Sequence, residues 1–557
     1  MANTEKNDFV FLPLGGVGEI GMNFALYGFG PPKNREWIVV DCGVTFPGPD
    51  LPGVDLVLPD IRFIEERKDR LRGIVITHAH EDHYGALLAL WPRLKVPVWM
   101  SPFGAGMLES KREGERGAPQ VPVTIYKAGD RFEIGPFAIE AIAVTHSIPE
   151  SHSLAITTPL GTVIHTGDWK DDDAPSLGPV IDEGRFRALG DKGVLALVCD
   201  STNAMREGVS PTERAVSESL STLISQARGR VAITTFSSNV GRIRSIAQAA
   251  HAAGRKTLLL GRSMKRVVEV AEELGYMEGL PDFVAEEDFE YIPREELVII
   301  LTGSQGESRA ALAKLSRDEM RTISLTAGDT VIYSSRPIPG NEKPILDTIN
   351  RLIDRGVNII TDSQALVHVS GHPRRNELQK MYQWLRPQVG VPVHGEAAHL
   401  TAQAALMREA GIPEVAHVRN GDMLRFAPGP AEVIEDAPHG RLVKDGEIIG
   451  TTEETGVDER RRLSFAGHVT VNIIVNKDME IIGDPDVVAY GLPKLDVRGE
   501  EIEDMLFDAA VEAYESVPKA RRKDLDKMEE SVSRAVRAAA RDAWGKKPVT
   551  LVFVTKV

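Results

Sequence analysis

Gly73-Ile74-Val75-Ile76-Thr77-His78-Ala79-His80-Glu81-Asp82-His83-Tyr84-Gly85 reads as a buried strand that ends in a cluster of metal-ligating side chains. In an extended chain, residues two apart point the same way, so His78 and His80 can grip one ion together. Asp82 and His83 fall at the turn into the apolar, helix-like run Gly85–Trp91 and face another direction, toward a second ion. Imidazole nitrogens together with carboxylate oxygens suit zinc or manganese, ions that accept both. The plain alternative is a polar loop with incidental histidines, and the spacing speaks against it.

The chain around this stretch has 557 residues, more than one core accommodates and room for about three or four domains. A hydrophobic fraction of 42% with 26% charged residues is ordinary for globular protein and excludes a disordered chain. No apolar run approaches the ~20 residues that span a bilayer, so no membrane partner is expected. Met1–Lys6 lacks the basic-then-apolar pattern of a secretory signal. Cys42 and Cys199, the only cysteines, each end an apolar run and are expected as buried thiols in a reducing, cytoplasmic setting. A net charge of −16 argues against coating nucleic acid through the overall field, while leaving room for a local basic groove.

In chain order, Gly16-Val17-Gly18-Glu19-Ile20-Gly21 matches a dinucleotide fingerprint, but a strand rather than a helix follows it. The glycines are therefore expected to form a tight turn between two strands. Trp37–Val40 is a buried strand ending in Asp41, a natural partner to orient a ligand histidine. Strands through Phe132–Val144 and Thr162–His165 lead out to His146 and Asp168, ligand-type residues on loops leaving strands; a bridging carboxylate can serve two ions. His165 is expected to pack within its strand. From about Pro211 to Ser363, helix-period segments alternate with short strands, the signature of a parallel sheet with crossover helices. His368-Val369-Ser370-Gly371-His372 follows, and then the strand Val391–Val393 ending in His394. Residues 428–464 read as a short element and a linker. The last ~95 residues read as a small separate α/β unit, with a solvated basic turn at Lys519–Lys523.

These residues now resemble a known family. His78–His83, with Asp41 before and His146 and Asp168 after, resembles the metallo-β-lactamase fold. An α/β insert followed by His372 and His394 resembles its β-CASP nuclease branch, and within it the chain is similar to the bacterial ribonuclease J family. The matching stretches are Gly15–Asn23, Asp200–Asn203, Phe236–Asn239, Thr302–Glu307, His368–His372 and Val393–Glu396, spread over nearly the whole chain. The implied fold is α/β: a metallo-β-lactamase αββα sandwich (1–210 and 365–445), an inserted β-CASP α/β domain (211–364), a linker (446–464) and a small C-terminal α/β domain (465–557).

The resemblance also implies two zinc ions per subunit, with manganese or magnesium as alternative occupants. One would be held by His78, His80, His146 and Asp168, the other by Asp82, His83, Asp168 and His394. Asp41 matches the family's supporting acid, Asp200 the acidic motif opening the insert, and His372 the histidine that protonates the leaving group. Short polar residues let a backbone approach phosphates, so Ser237, Ser238 and Asn239, and His368, Val369, Ser370, Gly371 and His372, are expected to bind substrate. The implied activity is phosphodiester hydrolysis in RNA maturation and decay, 5′→3′ from 5′-monophosphate ends and also internal. Arg242, Arg244, Lys265, Arg266, Arg374 and Arg375 could line a channel for single-stranded RNA, although each taken singly reads as a surface charge. The implied assembly is a homodimer or homotetramer through the C-terminal domain, with other RNA-decay proteins as further partners. A small-molecule hydrolase of the same fold, a DNA nuclease and a non-catalytic scaffold are the rivals. The first leaves the insert, His372 and His394 without work. DNA-acting members tend to carry valine at the position of His394, and inactive subunits usually lose ligands, whereas this set is complete.

Overall fold

The computed structural model describes residues 6–338 and 340–557. Two compact units emerge: the chain up to Thr45 with Leu58–Arg441, and Phe46–Val57 with Leu442–Val557.

The first unit is built on two facing sheets. One runs through Glu432–Asp436, Asp422–Ala427, Asp8–Gly15, Phe24–Gly30, Glu36–Val40, Leu71–Val75, Val98–Met100 and Val123–Ile125. The other runs through Glu414–Val415, Val389–Val393, Ala196–Asp200, Gly161–His165, His152–Thr158, Phe137–Ala143 and Arg131–Ile134. Phe9, Phe11, Tyr27, Ile38 and Val40 from the first meet Ile139, Leu154, Ile156, Val198 and Val391 from the second in one core. Helices cover the outer faces: Phe186, Leu189, Leu378 and Met381 pack on Ile164, Leu197 and Cys199. With both faces covered, central strands such as Trp37-Ile38-Val39-Val40 read as unbroken apolar runs rather than alternating ones. This is the expected αββα sandwich.

The insertion is visible in the pairing. Ala196–Asp200 lies parallel beside Val389–Val393, with Asp200 opposite Val393, so everything between leaves and re-enters the sheet at neighbouring strands. Within that excursion a parallel sheet runs in the order Lys256–Leu260, Leu297–Leu301, Val231–Thr234, Thr330–Tyr333, Asn358–Ile360. Its crossover helices include Glu213–Gln226, Val240–Ala252 and Glu342–Asp354. Thr212 and Asn239 cap the first two, each side-chain oxygen accepting from the third residue on.

In the second unit, Asp486–Tyr490, His468–Val475 and Val549–Lys556 form a sheet. Val469, Val471 and Ile473 pack on Leu506, Tyr514 and Val532 of its helices. The strand Asp486–Tyr490 was not expected from the sequence. The reading of 446–464 as a linker is corrected: Ile448–Gly450 is a strand and Val457–Ala466 a helix. Turn-rich composition concealed them, since short elements carry too few residues to show a period. The basic cluster is a solvated turn, with Lys519 paired to Glu480 and Arg522 donating to the carbonyls of Glu515 and Val517. No helix among the described residues is long and apolar enough to cross a membrane.

Candidate metal centre

The loop after Leu71–Val75 carries His78, His80, Asp82 and His83, and its backbone is clamped from two sides. Asn23 N donates to Asp82 O, Cys42 N to His83 O and Val44 N to Glu81 O. Gly43 lies so close that an added Cβ would sit 1.7 Å from Asp82 O. The glycine turn does form between two strands, antiparallel Asp8–Gly15 and Phe24–Gly30, as expected. Its role was missed: Gly16 O accepts from His394 N, and Asn23 Nδ2 lies 3.1 Å from His83 Nε2.

His80 Nδ1 lies 3.1 Å from His78 Nε2 and 3.0 Å from His146 Nε2, and Asp168 Oδ2 stands 3.7 Å from both of the latter. Each ring's other nitrogen is occupied: His78 Nδ1 by Thr77 Oγ1, His80 Nε2 by Ser238 Oγ, His146 Nδ1 by the Gly371 carbonyl. Burial holds His78 and His146 well below the usual imidazole range and His80 at about 4, so all three are neutral with lone pairs converging. Neutral donors aimed at one another, beside a buried Asp168 Oδ1 that has no hydrogen-bond partner, fit a cation.

A second group shares Asp168: Asp82, His83, Asp168 and His394 present ligand atoms within 4.8 Å of one another, as the first group also does. His83 donates through Nδ1 to Asp41 Oδ2 at 2.7 Å, leaving Nε2 to face the cluster. Asp41 holds a left-handed φ of 65° and also takes the Thr77 amide and hydroxyl, so one carboxylate orients ligands of both groups. Burial opposes charge on His83 and His394. The carboxylates around them outweigh it, raising His83 well above its usual range and His394 to about 10. Thr202, part of the Asp200–Asn203 stretch but given no role in the sequence reading, accepts from His394 Nδ1 and donates to Asp200.

His372 donates through Nδ1 to Asp200 Oδ2 at 2.7 Å. Burial pulls its pKa down, and Asp200 and Asp168 more than restore it, so it stands above the usual value. Of the expected phosphate residues, Ser238 touches His80, whereas Asn239 spends its side-chain oxygen capping the helix. Ser370 Oγ accepts from Asn203 and from the His372 amide, Val369 is buried, and His368 Nδ1 is buried without a hydrogen-bond partner.

The channel expectation is corrected for Arg242, which is fully buried against Glu213. Arg244 donates to the Tyr276 carbonyl, Lys265 pairs with Glu286, and Arg375 with Glu207 and Glu409, so these charges are already engaged.

Gly371 packs directly against the cluster. A Cβ there would lie 2.6 Å from two ring atoms of His146 and 3.0 Å from Ser147 Oγ. Gly371→Ala is therefore expected to rotate His146 off the cluster and cost about 10²-fold in turnover, read by RNA cleavage and metal titration together. Full activity in that variant would mean that the loop yields freely.

A sandwich of two sheets, convergent histidines at one edge and an inserted parallel-sheet domain define a metallo-hydrolase of the metallo-β-lactamase fold with a β-CASP insert. Family models agree segment by segment: the metallo-beta-lactamase superfamily over 31–169, the ribonuclease J beta-CASP domain over 228–352, the Zn-dependent metallo-hydrolase RNA specificity domain over 356–417 and the ribonuclease J C-terminal domain over 455–557. The chain is 65% identical to ribonuclease J of Sinorhizobium meliloti, covering 99% of this chain and 98% of that one. It is 41% identical to ribonuclease J of Mycolicibacterium smegmatis, over 83% of each. A solved Enterococcus faecalis protein of unknown function superposes with a TM-score of 0.52 at 15% identity, over 75% of this chain and all of that one, a likeness of fold alone. The chain belongs to the ribonuclease J family, and it is a metal-dependent, RNA-binding ribonuclease.

Proposed function

We propose that this chain degrades single-stranded RNA in the 5′→3′ direction from 5′-monophosphate ends, with internal cleavage as a second mode, using two zinc ions. One observation carries the reading. The two loops suited to phosphate each bond directly to a candidate ligand histidine, Ser238 to His80 and Gly371 to His146. A 5′-phosphate held by these loops lies one side chain from the metal groups, which favours cutting beside a held end.

In this reading His78, His80, His146 and Asp168 hold one ion, and Asp82, His83, Asp168 and His394 the other. Bound there, zinc supplies Lewis acidity to the phosphate and brings the pKa of water toward about 7. Asp41 and Asp200 orient His83 and His372. With Nδ1 tied to Asp200, His372 has Nε2 free to deliver a proton to the departing 3′-oxygen. Metal exchange between zinc, manganese and magnesium, followed by activity, identifies the productive ion.

The test is an RNA labelled at either end and carrying a 5′-monophosphate or a 5′-triphosphate, with matched DNA beside it. Faster release of 5′-mononucleotides from the monophosphate form is expected. Equal exonucleolytic rates on both ends, or internal fragments alone, refute the end-directed mode.

A cytoplasmic location is supported by Cys42 and Cys199, both free and buried. Assembly through the C-terminal unit is supported by its outer sheet face, where Ile474, Val488, Leu551 and Phe553 are exposed together. Sedimentation equilibrium of the full chain reads the oligomer directly, and a monomer at all concentrations would exclude it.

A further inference from the structure

Arg242 is fully buried, and every group of its guanidinium is committed. Nε and Nη2 donate to Glu213 Oε2 at 3.1 and 2.7 Å. Nη1 donates to Ser334 Oγ at 2.6 Å and to the Val367 carbonyl at 3.0 Å, and Ser334 Oγ itself donates to Val367 O at 2.7 Å. Val367 immediately precedes His368-Val369-Ser370-Gly371. At its other end, Arg242 stands in the first turn of the helix whose cap, Asn239, closes the Ser237–Asn239 loop, and its amide donates to Asn239 Oδ1. Glu213 extends the chain of contacts: its amide donates to Asp172 Oδ2, and Asp172 pairs with the buried Lys170, two residues past Asp168.

An apolar pair of equal volume would stabilise this interior about as well as a buried ion pair does. What an apolar pair lacks is direction. A planar guanidinium fixes two acceptors at set angles, and a lysine ammonium does not. We infer that Arg242 is a positioning residue that sets the His368–Gly371 loop against the Ser237–Asn239 loop, and so sets the selectivity for a 5′-monophosphate end. The inference rests on the reading that these loops hold that phosphate.

The test compares wild type, Arg242→Lys and Ser334→Ala as full chains on single-stranded RNA with a 5′-monophosphate or a 5′-hydroxyl, with bound metal measured in each. Arg242→Lys keeps the charge and loses the fork; Ser334→Ala keeps the Arg242–Glu213 pair and removes one of the two contacts to Val367. Expected is a rise in KM of about tenfold on the 5′-monophosphate substrate, with kcat within about twofold, KM on the 5′-hydroxyl substrate unchanged and metal content unchanged. If kcat and metal content fall while KM holds, Arg242 only supports the fold and the inference is overturned. Wild-type preference in both variants overturns it as well. Should Arg242→Lys not fold, Ser334→Ala decides by the same readouts. A wild type that ignores the 5′-phosphate refutes the underlying reading instead, a failure seen before any variant is compared.

Discussion

Asp168→Asn is expected to deplete both metal groups at once and to lower RNA cleavage by about 10³-fold or more. Asp168 belongs to each of the three ligand clusters found among the described residues. Its Oδ2 stands 3.7 Å from His78 Nε2 and from His146 Nε2 in the first group and 3.3 Å from His83 Nε2 in the second, so the carboxylate reaches both groups. Asparagine keeps the shape, removes the charge and replaces one ligating oxygen with an amide nitrogen that carries no lone pair for a metal. Without the carboxylate, the attraction that opposes the cost of a buried cation is gone. Metal content of the purified variant, set beside its cleavage rate, checks the expectation. Two equivalents of metal retained at wild-type affinity would remove Asp168 from the bridging role.

His372→Ala is expected to slow turnover by about 10²–10⁴-fold while bound metal stays unchanged, the loss appropriate to a missing general acid. Geometry leaves a competing role open to test, because Asp168, Asp200, His372 and His394 also form a cluster of ligand type. Two observations distinguish them. A ligand's loss lowers metal content, and a proton donor's loss does not. A donor also matters less when the leaving group is stable as an anion, so cleavage of a p-nitrophenyl phosphodiester should fall far less than cleavage of RNA. Metal loss in the variant, or equal loss on both substrates, would remove the acid assignment.

Much of this was legible in the chain because it is local. A period of two across His78 and His80, a strand before them and a helix after them follow from backbone geometry alone. Alternating helices and strands announced a parallel sheet, and the strands from Val231–Thr234 to Asn358–Ile360 do pair in one. Charge was the weaker guide. Arg242 and Arg375 look alike in sequence, yet one is fully buried and the other reaches Glu207 and Glu409 at the surface. No local pattern separates them, since burial of a cation depends on a carboxylate supplied from elsewhere.

The amino-acid sequence by itself determined the identities of the ligand-type residues, their strand-end positions and the layered α/β architecture. Those properties depend on neighbours within a few residues. Only the tertiary structure decided which nitrogen of each histidine faces the cluster. It also turned a glycine-rich turn near the N-terminus into the support for His394 and Asp82, and gave Gly371 no room for a side chain. Apart from Thr77 beside His78, each of these is set by contacts between segments that lie from tens to hundreds of residues apart. Such contacts exist only once the two sheets have closed on their common core.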